Sequence, residues 1–397
     1  MDSKVCILLP RIGVYPALGV MLADVFRDLG WRPVVRHRAG PDLLDHDLLL
    51  LAGLCRYVDG LPDLLRKRQG NVPVTVLWQL EPLPPPELSE LGEKIGLRVA
   101  ACDWGRIPPT AGRVVSCLIP FRTQLMRLAR RWLARPYSRQ VVRQPDHEGW
   151  KQYDAENYYS AMADWLWIKH AHANGWLDYC FASVQPRVRF LHSRGITAEM
   201  IPFGYHPDWG RDLQVRRDID VLFLGRMGRG QRRSVLSRLQ EQLTQRGRTL
   251  TLVQKAHGAG RDALLSRTRI MLNLLRAPHD LAGMRVMMGM ACGALVVSEH
   301  CDDTGAFRPD QHFVMAQLDK LAEVIGFHLA HEEMRRKIAR EGHRFVTQEL
   351  TLANMIRKML QVIASGPYNN ANLPSRPRAL PEATPSAMAP KTGASPD

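Results

Sequence analysis

Two series of short apolar strands alternating with amphipathic helices, separated by a stretch dense in proline and glycine, restrict the fold of this chain more than any other feature. Residues 5–9 form an unbroken apolar run ended by Pro10. Residues 15–29 then show helical spacing, with Leu18, Met21, Leu22, Val25 and Phe26 apolar before Gly30. Residues 32–35, 48–51, 74–78, 114–118 and 179–184 are further strand candidates, interleaved with helical stretches such as 61–68. Apolar strands without polar alternation, linked by helices, predict a parallel sheet covered on both faces. The pattern pauses over 201–217, where Pro202, Gly204, Pro207 and Gly210 mark a hinge or linker. It then resumes: strands at 220–224, 250–254, 270–275 and 295–298, helices at 232–246, 261–266 and 283–291. Two further helices span 318–363, with a break near Ala330.

The expected architecture is α/β, two doubly wound Rossmann-like domains facing a cleft. An amino-terminal α/β domain occupies 1–200, a hinge 201–217 and a second α/β domain 218–366. Residues 367–397 hold seven prolines and few large apolar side chains, which predicts a disordered tail. The seven cysteines form no CxxC pair, so neither a zinc site nor a dithiol centre is expected, and metal ligands are predicted to be none. The amino-terminal apolar run is too short for a signal peptide, and no apolar stretch reaches membrane-spanning length. A cytoplasmic protein with reduced thiols is the expectation.

Net charge is +15, from 54 Lys+Arg against 39 Asp+Glu, and it is unevenly placed. Residues 106–143 contain nine arginines and no lysine, aspartate or glutamate. Within them, 121–135 can be drawn as a helix with Phe121, Leu125, Leu128 and Trp132 on one face and Arg122, Arg127, Arg130 and Arg131 away from it. That profile suits an anionic membrane surface, docked peripherally on its inner face, or equally a core-facing helix with a basic outer side. No recognition-helix, zinc-finger or RNP pattern accompanies the charge, so no specific nucleic-acid partner is expected.

The second half carries the chemistry. DVLFLGRMGRGQRR is a strand, a glycine turn with four arginines and a helix start. Backbone amides at a helix N-terminus beside arginine suit a phosphate group, though an ordinary strand–helix loop with solvated arginines reads the same way. The block IMLNLLRAPHDLAGMRVMMGMACGALVVSEHCDDTGAF follows. Its run R-x-M-M-G-M-A-C-G-A-L-V-V-S-E, with IPFGYHPDWG and DVLFLGR upstream, resembles the donor domain of retaining-type GT-B glycosyltransferases. It is closest to their spore-maturation-protein-like subgroup, over roughly residues 198–364.

The resemblance implies a transferase that moves a sugar from a nucleotide diphosphate donor, bound by the domain at 218–366, to a glycan, lipid or small-molecule acceptor on the side of the domain at 1–200. No cofactor beyond the donor is implied. Such enzymes place two acidic residues eight positions apart around the helix, one on the donor sugar and one on the ribose. The first position falls on Asp280, the candidate catalytic carboxylate, which also suits a helix cap. The second falls on Met288, which cannot accept a ribose hydrogen bond. Glu299 is the substitute ribose contact, with a solvated loop residue as the alternative. The glycine turn supplies Gly225, Arg226, Arg229 and Arg232 as donor-binding candidates. Lys255 and Asn273 join them at strand ends, where such sheets bind ligands. Met288 leaves a second reading open, a non-catalytic GT-B protein that binds a nucleotide or glycan. In the first half, Trp78, Gln79 and Glu81 end a strand where an acceptor can sit, and Tyr158, Met162, Trp165 and Ile168 recur at helical spacing as core.

Overall fold

The computed structural model describes residues 3–68, 73–84, 89–90, 155–225, 227, 231–275, 281 and 283–366. The expected strand at 114–118, the basic helix at 121–135 and the tail at 367–397 lie outside these residues.

The first half forms a six-stranded parallel sheet, built from β1 (Lys4–Leu8), β2 (Arg32–Arg36), β3 (Leu48–Ala52), β4 (Val74–Gln79), β5 (Tyr179–Ala182) and β6 (Glu199–Met200), ordered β2-β1-β3-β4-β5-β6. Helices α1 (Tyr15–Asp28), α2 (Leu61–Lys67), α3 (Ala155–Ala173) and α4 (Gln185–Ser193) cover its faces. Strands β3 and β4 are buried along their whole length, which is why their sequences show no polar alternation. Helix α1 begins with Pro16 in its first turn, where the missing N–H costs nothing, and buries Leu18, Met21, Leu22, Val25 and Phe26. In α3, Met162, Trp165 and Ile168 are buried as their spacing predicts, with Trp165 edge-on to Phe190 at 5.0 Å.

The second half is a five-stranded parallel sheet of β7 (Ile219–Leu224), β8 (Leu250–Val253), β9 (Thr268–Asn273), β10 (Leu295–Glu299) and β11 (Val314–Ala316), ordered β11-β10-β9-β7-β8. It packs with α5 (Gln231–Gln245), α6 (Gly258–Ser266), α7 (Gly283–Ala291), α8 (Leu321–Ala330), α9 (Glu332–Arg344) and α10 (Leu352–Ala364). Strand order reverses at β1/β3 in the first sheet and at β7/β9 in the second. These are the places where open α/β sheets leave a crevice at their carboxyl ends.

The expectation of two helices over 318–363 needs correction, because three are present. The break near Ala330 is there, separating α8 from α9. A second break falls at Leu350–Thr351, where the Thr351 hydroxyl accepts the Asn354 N–H at 3.1 Å and starts α10. This second break has a structural cause. The chain crosses between the two sheets twice, and the crossings pair: Tyr205 N–H donates to Leu350 O at 2.8 Å and Leu352 N–H to Tyr205 O at 2.7 Å. The 201–217 segment is therefore fastened rather than loose. A Cβ on Gly204 would sit 2.6 Å from backbone atoms of Thr351 and Leu352, so only glycine lets the two crossings approach. Helix α10 continues back onto the first half, packing against α1 and accepting the Tyr179 hydroxyl at Ile363 O, 3.1 Å. One buried apolar cluster consequently runs from α1 and β1 through Ile201, Tyr205 and Trp209 to α7 and α10.

Candidate functional site

A cavity of about 300 Å³ lies between the carboxyl ends of the two sheets. That is at the lower end of the usual volume of small-molecule pockets, roughly 300–1,000 Å³. The first half supplies Tyr15 from α1, Glu81 after β4 and Arg187 from α4; the second supplies Leu224, Arg285 and Thr304.

The second-half wall is organised by Arg285, in the first turn of α7. Its Nε donates to Leu224 O at 3.0 Å, and its Nη1 to Leu274 O at 3.0 Å and Asn273 Oδ1 at 3.1 Å. Leu224 ends β7 and Asn273 ends β9, so one guanidinium bridges the reversal of strand order. It also lies over the Phe223 ring at 5.1 Å. Gly225 makes room for it: φ is +153°, and a Cβ there would stand 2.8 Å from Nη2. Arg232 reinforces the same edge, donating to Leu275 O at 2.5 Å.

Asn273 is fully buried, donating to Ser298 Oγ at 3.0 Å and accepting from Arg285. It can act on a ligand only by orienting Arg285. The alternative of a solvated loop residue fails for Glu299, which is 6% exposed. Its Oε1 accepts the Leu275 N–H at 2.7 Å, and its Oε2 has no hydrogen bond among the described residues. Burial pushes its carboxyl up to about 7, opposed by the Leu275 N–H and by Arg232 and Arg285. Lys255, two residues past β8, is exposed and without a hydrogen bond or ion pair among the described residues. Arg226, Arg229 and Asp280 lie outside the described residues. Met288 lines the cavity.

Sequence reasoning gave Arg285 no role. The available signal was a lone arginine in the first turn of an otherwise apolar helix that follows a strand end.

On the first-half wall, the Tyr15 hydroxyl donates to Glu81 Oε1 at 2.7 Å. Burial and the Glu81 charge hold the Tyr15 phenol far above its ordinary range, so it stays a donor. Behind them Arg56 and Asp164 form a buried ion pair. Burial pushes Asp164 up to about 7; Arg56 opposes this, and the Glu81 charge adds to it. Arg187 donates to Leu80 O and Ser183 Oγ, both at 2.7 Å. Among the described residues no group of three or more His, Cys, Asp or Glu side chains could hold a metal ion, and no helix is long and apolar enough to cross a membrane.

Residues 238–361 match a family model described as glycosyl transferase-like. Comparison with curated protein sequences gave no match. Among solved structures, a glycosyltransferase from Rickettsia africae ESF-5 is similar at 10% identity and a TM-score of 0.53, over 92% of this chain and 98% of that one. Sucrose-phosphate synthase from Thermosynechococcus elongatus is similar at 10% identity and 0.51, over 92% and 99%. HepE from Anabaena, solved in complex with UDP and glucose, gives 13% identity and 0.47, over 92% and 100%. The chain has the GT-B fold seen in these glycosyltransferase structures, and most of its second half matches the glycosyl transferase-like family model.

Proposed function

We propose that the protein transfers a sugar from a nucleotide diphosphate donor, bound at the carboxyl edge of the second sheet, to an acceptor in the cleft. The observation that carries this reading is the arginine edge at the β7/β9 reversal. Arg285 and Arg232 place two cationic guanidiniums there, each donating to carbonyl or amide oxygens at strand ends. An anionic diphosphate at the adjacent Gly225 turn would be stabilised by that charge. Glu299 Oε2 is suitably placed in the same edge to accept a ribose hydroxyl, which answers the loss of an acidic residue at Met288. Arg226, Arg229 and Lys255 are proposed to add phosphate contacts, and Asp280 to contact the donor sugar. The retaining outcome and the spore-maturation-like relationship belong to the same proposal.

The test is a panel of nucleotide sugars, read by released nucleotide and by the rise in melting temperature. One donor should both stabilise the fold and turn over. Asp280→Ala should lower turnover by more than about 100-fold with the melting temperature unchanged. Tight nucleotide binding with no turnover on any donor would instead establish the non-catalytic reading that Met288 favours. The basic 121–135 segment is proposed to dock on an anionic membrane surface. Replacing Arg127, Arg130 and Arg131 with Gln should then weaken binding to phosphatidylglycerol vesicles about tenfold or more, each charge near such a surface contributing roughly 1 kcal/mol. Unchanged binding rejects the idea.

A further inference from the structure

A second cavity, of about 510 Å³, lies in the second half away from the cleft. Its walls come from the loop before β11, the last turn of α8 and one face of α9, where Met334, Lys337 and Glu341 recur at helical spacing. Asp310 precedes β11, and α8 runs back along the sheet after it. The cavity is therefore at the amino ends of the strands, opposite the edge that faces the cleft. His328 is 6% exposed and lines this cavity, yet neither nitrogen of its ring has a hydrogen-bond partner among the described residues. Burial holds its imidazole below the ordinary range, against the charge of Asp310, so the neutral ring has one nitrogen to donate and one to accept. A polar group so buried and unpartnered is costly. Asp310 itself holds left-handed backbone, φ +61°, fixed by its N–H donating to Phe313 O at 2.7 Å. Its carboxylate has no hydrogen bond or ion pair among the described residues, and neither has the Lys337 ammonium. Glu341 is held by Arg344 at 3.3 Å. Phe327, 44% exposed, presents a ring backed by His331, which stacks on it at 4.0 Å.

We propose that this cavity is a carbohydrate site separate from the cleft, which takes a short segment of a neutral saccharide. One face of a sugar ring packs on Phe327, and its hydroxyls meet His328, Asp310 and Lys337. The mixed sense of the rim carries the choice of ligand. A carboxylate only accepts, an ammonium only donates and a neutral imidazole does one of each. A hydroxyl does both, so a polyol satisfies the whole rim, whereas a simple ion meets charges of both signs. The exposed Phe327 ring adds the flat apolar platform that the C–H face of a pyranose needs. The proposal does not rest on the transferase reading, because none of these residues lies in the cleft.

Maltotriose, cellotriose and triacetylchitotriose are neutral probes, and their binding to the full chain is read by saturation-transfer NMR and by calorimetry. At least one should bind. Phe327→Ala removes only an exposed ring and should weaken that trisaccharide by about tenfold or more. Asp310→Gly removes the carboxylate while supplying a residue that adopts the left-handed backbone freely, so the chain keeps its fold and loses about fivefold in affinity. Asp310→Asn, which keeps an oxygen acceptor, should lose less. Binding of none of the three probes overturns the proposal. So does an affinity that Phe327→Ala or Asp310→Gly leaves within about twofold of wild type, because the saccharide then sits elsewhere, the cleft included. UDP binding, measured in parallel, separates this site from the donor reading. Its absence in the wild-type chain counts against the donor assignment and leaves the saccharide result standing.

Discussion

Two arginine clusters, one in each half, are built differently. In the first half, Arg56 pairs with Asp164 behind the cleft, and Arg68 with Asp178 at the far end of the sheet, where the Asp178 carboxylate also accepts the Thr75 N–H at 2.7 Å. Their charges cancel, and the pairs fasten helix to sheet. In the second, Arg285 and Arg232 donate to backbone carbonyls at strand ends, with Glu299 as a nearby carboxylate. A carbonyl anchors a guanidinium without neutralising it, whereas a carboxylate cancels its charge. The two sheets share a topology, yet their arginines are anchored by different kinds of oxygen at these two places.

Removing one partner of a cancelled pair should produce the largest effect. Arg56→Met removes the cation and strands Asp164, whose side chain is 5% exposed. Breaking a buried pair in this way costs roughly 3–5 kcal/mol. The measurement is the urea midpoint, which should fall most above pH 7, where Asp164 is ionised. A midpoint there within error of wild type would show that Asp164 is solvated and the comparison misdrawn. Arg285→Met strikes the other kind of arginine. It leaves Leu224 O, Leu274 O and Asn273 Oδ1 without their donor, which costs roughly 1–3 kcal/mol of stability. Because the lost charge faces the donor edge, turnover should fall by about 100-fold or more while the chain still folds. Turnover within threefold of wild type would reduce Arg285 to a structural clamp.

Both sheets could be read from the sequence because their central strands, such as β1, β3, β9 and β10, are buried almost throughout and carry runs of apolar residues. The edge strands β6 and β11 escaped, at two and three residues too short to show any period. The third C-terminal helix was missed because apolar spacing resumes across Leu350 and Thr351, and spacing records which face is buried but not against what. Leu352, Ile356, Met359 and Ile363 of α10 bury against the same apolar cluster as α1 of the other half. The site was legible as a place, the strand ends around Gly225 and Glu299, but not as a set of bonds. Asn273 and Glu299 sit at neighbouring strand ends and read alike in sequence. One is closed on both sides by protein, and the other keeps an oxygen open. Arg285 drew no notice because its partners are backbone carbonyls, which leave no mark in a sequence.

The smallest expected effect compares the two buried carboxylates directly. Burial raises Glu299 from 4.5 to about 7 and Asp164 from 3.8 to about 7. For each, the folded chain binds the proton more tightly than the unfolded chain. Stability from this source is therefore greatest below the unfolded value and is lost as pH rises to about 7. The two nonetheless differ in how their charge is held. Glu299 has arginines nearby but no ion pair, and a Gln carbonyl at 299 can still accept the Leu275 N–H. Glu299→Gln should therefore leave the urea midpoint unchanged near pH 4.5 and raise it above pH 7, by on the order of 1–2 kcal/mol. Arg56→Met, which leaves the Asp164 carboxylate without its counter-charge, should lower it above pH 7. A Glu299→Gln midpoint that falls above pH 7 would mean that Arg232 and Arg285 depend on this carboxylate as Arg56 depends on Asp164. The arginine edge would then be a neutral cluster like the one in the first half, with no residual charge to hold a diphosphate.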